Sequence, residues 1–268
     1  MRIVHRLPAP PLRAVVDRYW SWEGAETPRL LPLMPGPGGL EVFFHYGAPF
    51  ARRRDDRVQA LPRAHFACVR THPVELLAQG GPGFVAVRMK TGMGGCLTGL
   101  PVAAFADGFA DAGDAWGEAA RQLPERLAGT ATMDERAALL DRFLLARLRA
   151  PGMETALAPA LAALLHGQTR VAEAARIAGC GVRQLEKRCH AATGLAPARL
   201  RRLARLRRSL RALLLAPPGA ALTASIDPAY HDQAQQVREF RELTGFAPGE
   251  LRRAAAGRSH FYNPPWPG

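Results

Sequence analysis

The sequence predicts an α+β protein in which a β-rich N-terminal part precedes an all-helical C-terminal part. Short apolar or alternating runs separated by Gly and Pro occupy the chain up to about residue 105, which is typical of strands joined by turns. From Trp116 onward, apolar residues recur every three or four positions, which indicates amphipathic helices. The net charge of +13 divides at the same place, because residues 1–152 carry +4 and residues 153–268 carry +9. We therefore predict two domains, 1–152 and 153–268.

The strands and the last helix of the first domain follow from local patterns. Four apolar runs are predicted as strands: Leu40–Tyr46, His65–Val69, Val74–Leu77 and Phe84–Met89. A helix is predicted over 134–149, with Asp134 and Glu135 at its start and Arg147 and Arg149 at its end, as the helix dipole favours. The Pro151-Gly152 pair then ends this helix and marks the predicted domain boundary.

Composition favours a basic protein that acts on a polyanion. The chain has 36 Lys and Arg against 23 Asp and Glu, so nucleic acid is the leading partner, although an arginine excess is also typical of a GC-rich genome. Four dispersed cysteines do not suit a disulfide framework. No run approaches the roughly 20 apolar residues of a membrane span, and prolines interrupt the N-terminus before an export signal could form. We expect a cytoplasmic protein with no membrane contact.

A helix-turn-helix is predicted from residue 171. The first helix has a small apolar side, Gly179-Cys180-Gly181 breaks it, and a second helix begins at about Val182. Leu185 and Cys189 face inward in this second helix, which leaves its basic residues outward. Such a second helix can enter the major groove of DNA.

The C-terminal half carries a motif twice. Arg183-Gln-Leu-Glu-Lys-Arg is followed by Thr193-Gly-Leu-Ala-Pro197, and Arg238-Glu-Phe-Arg-Glu-Leu is followed by Thr244-Gly-Phe-Ala-Pro248. Gly supplies a helix stop, and Pro should prevent the helix from resuming. Residues 170–214 and 222–253 resemble the DNA-binding domain of AraC-family transcription regulators. The resemblance implies two helix-turn-helix units joined by one long helix.

That joining helix is predicted over 198–215. Leu200, Leu203, Leu206, Leu210 and Leu213 form one stripe, and seven arginines lie between Arg199 and Arg211. Two interpretations stay open for these arginines. They could form a solvated back of a packed helix, or some could lie near phosphate while the helix holds two recognition helices about 34 Å apart.

The resemblance implies six DNA-contacting residues. They are Arg183, Glu186 and Lys187 in the first recognition helix and Gln233, Gln235 and Arg238 in the second. Arg and Lys can donate to guanine, Gln can pair with adenine, and Glu186 could accept from a cytosine amine. Glu186 could equally pair with a nearby arginine in its own helix.

The second unit departs from the family pattern. Its supporting segment, 222–230, contains Pro228, and Ala229 replaces the usual Gly. Proline inside a helix costs about 3 kcal/mol, so this helix should be short or distorted. If Gln236 points inward, packing there is weaker. The second unit is therefore expected to bind DNA less strongly or mainly through the backbone.

The N-terminal half resembles a variant AraC-type N-terminal region. The supporting segments are 18–22, 31–45, 84–95 and 114–117. The resemblance implies a cupin-like β-barrel with flanking helices that senses a small-molecule effector or pairs subunits into a homodimer. The aromatic residues at 20, 22, 43, 44 and 46 suit either a core or a ligand pocket, and we favour the core for most of them.

Other function classes are less well supported. A metal-responsive regulator would use His65, Cys68, His72 and Cys96, but their spacing matches no strong metal motif. Asp107, Asp111 and Asp114 form an acidic stretch that suits a solvated loop better than a catalytic site, and no GxSxG or HExxH motif occurs. We therefore predict no enzyme, catalytic residue, metal or cofactor. A protein-interaction module with weakened DNA binding stays an alternative because of Pro228.

Overall fold

The structure is a computed structural model of the chain. It describes residues 2–150, 153–166, 169–217, 220–222, 227–228, 230 and 232–262. The Pro151-Gly152 pair, on which the predicted domain boundary depends, lies outside these residues. The boundary therefore stays a prediction.

The N-terminal part contains antiparallel strands in two sheets. The strands are β1 (Arg2–Arg6), β2 (Val16–Glu23), β3 (Glu41–His45), β4 (Ala51–Arg54), β5 (Arg57–Ala60), β6 (Ala64–Ala67), β7 (Glu75–Leu77), β8 (Gly83–Met89) and β9 (Phe109–Asp111). One sheet has the order β1-β2-β8-β3-β6-β9, and the other has the order β5-β4-β7. The four predicted strand segments correspond to β3, β6, β7 and β8. The strands continue to Asp111, slightly beyond the predicted limit near residue 105.

The described strands do not close into a barrel, so the cupin-like barrel is not confirmed, whereas the α+β class is. The segment between β2 and β3 makes single bridges, Leu33 to Val74 and Gly36 to Arg70, instead of a continuous ladder. Pro32, Pro35 and Pro37 lie in this segment. Proline cannot donate a ladder hydrogen bond, which explains why the two sheets stay separate here.

The central strands of the six-stranded sheet, β2, β8, β3 and β6, are mostly buried on both faces. Side chains alternate along each strand, so Tyr19 and Phe44 face one buried cluster while Trp20, Trp22 and Phe43 face another. The first cluster continues into the helices, and it includes residues from Leu12 to Leu251. The second cluster contains five buried aromatic residues of the described chain and includes Leu76 of the smaller sheet.

The helices of the N-terminal part follow and interleave with the strands. They are α1 (Gly95–Thr98), α2 (Ala112–Trp116), α3 (Glu118–Ala128) and α4 (Met133–Leu145), with 3-10 helices η1 (Pro10–Ala14) and η2 (Val102–Phe105). Helix α4 starts where predicted, with a capping box between Thr132 and Glu135. It ends at Leu145, four residues earlier than predicted. Arg147 lies beyond the end, and its guanidinium donates to the carbonyl of Phe143 at 2.8 Å.

The C-terminal part is helical throughout most of its described residues. Its helices are α5 (Met153–His166), α6 (Val171–Ile177), α7 (Val182–Thr193), α8 (Pro197–Leu214), α9 (Gln233–Thr244) and α10 (Pro248–Ala255). All five leucines of the predicted stripe on α8 are buried. Helix α8 thereby forms the centre of this part, with α5, α7 and α10 packed on it.

The chain returns to the N-terminal sheets after α10. The N–H of Ser259 donates to the carbonyl of Arg29 at 2.8 Å, and the N–H of Leu31 donates to the carbonyl of Ser259 at 2.8 Å. The ring of Phe261 then lies 5.3 Å from the ring of Trp22. Residues 259–262 are called the C-terminal strap below, and they connect the two parts of the molecule.

Candidate nucleic-acid interface

The predicted first helix-turn-helix is present at residues 171–193. Ala174 and Ala175 of α6 are buried, and the small side chains allow α6 and α7 to cross closely. The turn is closed by the N–H of Cys180, which donates to the carbonyl of Ala175 at 3.0 Å. Leu185 and Cys189 are fully buried on the inner side of α7, as predicted.

The outer face of α7 is exposed and charged. Arg183, Glu186 and Lys187 are all exposed. Within the described chain none of the three forms an ion pair, so the alternative pairing of Glu186 with a neighbouring arginine is not observed there. The face can therefore present donors and one acceptor to a ligand without first breaking an intramolecular salt bridge.

Helix α9 presents a mixed face. Asp232 caps it, since its carboxylate accepts from the N–H of Gln235 at 2.7 Å. Gln233 and Arg238 are exposed, whereas Gln235 is half-buried. Gln236 is only 2% exposed, so this polar side chain does point into the packed side of α9.

Only part of the segment that should support α9 is described. Residues 223–226, 229 and 231 lie outside the described residues, and with them most of the predicted helix over 222–230. The distortion expected at Pro228 and the second complete helix-turn-helix are therefore not confirmed.

The repeated motif produces the same helix end twice. Thr193 donates to the carbonyl of Cys189 and accepts from the N–H of Leu195, at 2.7 and 3.2 Å. Thr244 repeats this arrangement four residues after Phe240, at 2.7 and 3.1 Å. Gly194 and Gly245 follow, each with φ +78°, which is the left-handed conformation that glycine adopts without strain.

The prolines of this motif act differently from the prediction. Pro197 and Pro248 each occupy the first turn of the next helix, α8 and α10, so they start a helix rather than prevent one. Proline is favoured there because its fixed φ suits a helix and no N–H is needed in the first turn.

Several arginines of α8 are engaged within the protein. Arg202 and Arg205 both pair with Glu239 of α9, at 3.2 and 2.6 Å. Arg208 pairs with Asp227 at 2.5 Å and donates to the carbonyl of Leu165. These three arginines are therefore not simply a solvated back of α8, because they bind buried carboxylates that are distant in the sequence. Contact between arginines of α8 and phosphate stays a prediction.

Glu239 holds α9 to α8. Its carboxylate also accepts from the hydroxyl of Tyr230 at 2.9 Å, and it is 7% exposed. The guanidinium of Arg205 lies 4.6 Å from the centre of the Tyr230 ring. Burial and the neighbouring carboxylate raise the pKa of Tyr230, so this hydroxyl stays a donor. The orientation of α9 is thereby fixed by a network of charged hydrogen bonds.

A cavity lies on the aromatic side of the N-terminal sheet, next to α8. It has a volume of about 70 Å³. Trp20, Trp22, Phe43 and Phe44 are all buried, as the preference for the core predicts, but Trp20 and Phe43 also line this cavity. Tyr46 instead donates to Glu23, which also pairs with Arg136. On this face of the sheet, the same aromatic residues therefore belong to the buried core and line the cavity.

The residues of the metal alternative do not come together. His65 is buried, stacks on Phe43 at 5.3 Å and has a pKa lowered by desolvation to about 4, which makes it neutral. Cys68 donates to the carbonyl of Val102, whereas His72 lies on the surface beside Asp107. In the described part of the chain, no group of three or more His, Cys, Asp or Glu is arranged to hold a metal ion.

The acidic stretch has structural partners. Asp107 accepts from the N–H and the hydroxyl of Thr71, at 2.6 and 2.8 Å. Asp111 caps α2 by accepting from the N–H of Gly113 at 2.6 Å. Asp107 and Asp111 are thus partly exposed and hydrogen-bonded within the fold, whereas Asp114 is exposed.

Comparison with known proteins identifies two family models. A family described as "Helix-turn-helix domain", of the AraC type, matches residues 174–254, and a "Domain of unknown function (DUF6597)" matches residues 4–111. No curated protein and no solved structure matches the chain significantly. Among the described helices, none is both long and apolar enough to cross a membrane. The helix-turn-helix that α6 and α7 form, together with these two matches, supports a DNA-binding transcription regulator of the AraC type.

Proposed function

We propose that this regulator reads a specific duplex sequence with residues 153–268, while residues 1–152 sense a small molecule and pair subunits into a homodimer. The outer face of α7 carries this proposal. Arg183, Glu186 and Lys187 are exposed there and form no ion pair with the described residues, while the opposite face of the same helix is buried. A helix anchored on one side and chemically free on the other suits insertion into a major groove.

We assign base recognition to the same six residues that the sequence predicts. Arg183 and Lys187 donate to guanine, and Glu186 accepts from cytosine. In α9, Gln233 and Gln235 pair with adenine and Arg238 with guanine. Because Gln235 is half-buried, α9 contributes less to base recognition than α7.

The cavity beside α8 supports the sensing role. It is lined by strands of the N-terminal sheet and by residues of α8, so an occupant would contact both proposed domains. A ligand that favours one arrangement of these domains shifts the population that binds DNA. Since the target is chromosomal DNA, we place the protein in the cytoplasm.

The experiment is a selection of genomic fragments by the purified full-length protein, followed by binding measurements on the selected sites. We expect one shared motif, with an inverted or direct repeat if two subunits bind. Affinity should fall steeply with salt, roughly 10³-fold between 50 and 200 mM if six or more phosphates are contacted. Retention of no DNA, or of random fragments alone, would overturn the proposal and favour a protein-interaction role.

A further inference from the structure

The cavity beside α8 is lined by aromatic rings and by arginines. The rings belong to the N-terminal part and to the C-terminal strap: Trp20, Phe43, Phe50, Phe109 and Phe261. The charged lining residues are Arg70, Arg88, Arg207 and Arg211, together with a single carboxylate, Glu41.

That one carboxylate is already engaged. The guanidinium of Arg88 donates to Glu41 at 2.7 Å, and the indole N–H of Trp20 donates to the same oxygen at 3.2 Å. Tyr262 adds no negative charge, because burial raises the pKa of its hydroxyl to about 12, and His65 is neutral, because burial lowers its pKa to about 4. The cavity wall therefore has a clear excess of positive charge.

Arg207 and Arg70 form no ion pair within 4 Å with the described residues, although both act on Glu41 and help to lower its pKa. Burial together with Arg88 lowers the pKa of Arg207 to about 10. Arg70 donates to the carbonyl of Cys68 at 3.2 Å, while its Nε is buried without a hydrogen-bond partner in the described chain. Both arginines are half-buried, and charges withdrawn from water are normally paired, so each can accept a further anion.

The C-terminal strap contributes one ring to the cavity wall. Phe261 packs edge-on against Trp20, Trp22 and Phe50, with ring centres 5.3 to 6.3 Å apart. The remaining volume of about 70 Å³ is well below the ~150 Å³ of a cavity that binds benzene. Another ring therefore needs the space that Phe261 fills.

We infer that this cavity is a binding site for a small aromatic carboxylate, whose carboxylate pairs with Arg207 and Arg70 and whose ring replaces Phe261. This rests on the proposed sensing function and names its ligand class. Arg207 belongs to α8, which packs against α7 and holds α9 through Glu239. Release of Phe261 also frees Ser259 from residues 29–31. Ligand entry therefore acts on the DNA-binding helices through two connections.

The test is calorimetric titration of the full-length protein with benzoate, with benzyl alcohol as the neutral analogue and acetate as the anion without a ring. Benzoate should bind at least about tenfold more tightly than either analogue. R207Q should weaken benzoate binding about tenfold or more, and R207K, which keeps the charge, should retain part of it. R199Q is the matched control, since Arg199 is an exposed arginine at the start of the same helix and should leave the benzoate affinity unchanged.

A substitution in the C-terminal strap should raise the benzoate affinity, whereas R207Q should lower it. F261A should bind benzoate more tightly than the unaltered protein, by at least about threefold, because no ring has to be displaced. Three results would overturn the inference. They are weaker benzoate binding by F261A, equal benzoate binding by R207Q and the unaltered protein, and no benzoate binding at millimolar concentration by both the unaltered protein and F261A.

Mobility shifts with the selected DNA separate this inference from the proposed function. DNA binding without benzoate binding refutes this inference alone. Benzoate binding that leaves DNA affinity unchanged refutes the regulatory role.

Discussion

Helices α7 and α9 end in the same way but are held differently. Each ends at a threonine that donates to a carbonyl four residues earlier, and each is followed by a glycine with positive φ. Inside the fold, α7 is anchored by the apolar side chains of Leu185 and Cys189, whereas α9 also carries Glu239 with its two arginine partners on α8. The shared motif thus sets the residue at which each helix ends, whereas the contacts of the buried face hold each helix in its orientation.

The different anchoring of α7 and α9 suggests different roles for the two helices in DNA binding. The cations of α7 face outward without ion pairs in the described residues, so they are available to DNA. In α9, the charged network is directed inward to α8. We expect α7 to dominate sequence recognition and α9 to depend on α8 for its position.

The largest effect is expected for Glu239→Gln. The substitution removes the charge that Arg202 and Arg205 share, and it should lower the free energy of unfolding by about 2–3 kcal/mol, less than for a fully buried pair because both arginines are partly exposed. Chemical denaturation measures the loss. Glu242→Gln is the matched control, because Glu242 pairs with the same Arg202 but is exposed, and its effect should be much smaller. Equal losses in the two variants would show that Glu239 does not anchor α9.

The next effect concerns the shared helix end. Thr193→Val and Thr244→Val keep the size of the side chain but remove a buried hydroxyl that donates to the carbonyl four residues earlier and accepts from the N–H two residues later. Each should lower the free energy of unfolding by about 1–2 kcal/mol, by similar amounts. The effects should add in the double variant, since the two ends are separate. A large difference between them would mean that the motif has different roles in the two helices.

DNA binding should distinguish the helices directly. Arg183→Ala should weaken binding to the selected site by about 1–3 kcal/mol and relax the preference at one base pair. Arg238→Ala, also exposed, should have a smaller effect, while the thermal stability of both variants stays unchanged. Fluorescence anisotropy with the site and with single-base variants measures both quantities. A larger loss for Arg238→Ala would reverse the order proposed for the two helices.

Local features of the fold were predictable from the sequence, and long-range partners were not. The boundaries of α6 and α7 follow from two glycines and a run of small residues, and the four strongest strand segments follow from their apolar pattern. By contrast, Arg205 and Glu239 are 34 residues apart. Nothing in either local pattern marks them as partners, so the arginines of α8 were assigned to solvent or phosphate.

The cavity was missed for the same reason. Arg88 belongs to a strand, Arg207 to the central helix and Phe261 to the C-terminal strap, and only the tertiary fold brings them to one wall. The aromatic residues did raise the choice between core and pocket. The sequence could not decide between core and pocket, because an aromatic residue that fills a core and one that lines a pocket both occupy inward-facing strand positions.

The last comparison concerns the turn that sets α7 against α6. Gly179 has φ +61°, and no heavy atom lies within 4 Å of the position that a Cβ would occupy there, so Gly179→Ala meets no clash but a backbone conformation that costs about 1–2 kcal/mol for an L-residue. Gly181 has φ −72° and ψ 159° and equally open space, so Gly181→Ala fits without backbone strain. Since Gly181 is the N-cap of α7, where alanine is less favourable than glycine, we expect a small loss, below that of Gly179→Ala. Thermal denaturation of the two variants measures this difference. If both lost the same stability, the left-handed residue would not be what fixes the turn, and the exposed face of α7 would owe its direction to the packing of Leu185 and Cys189 alone.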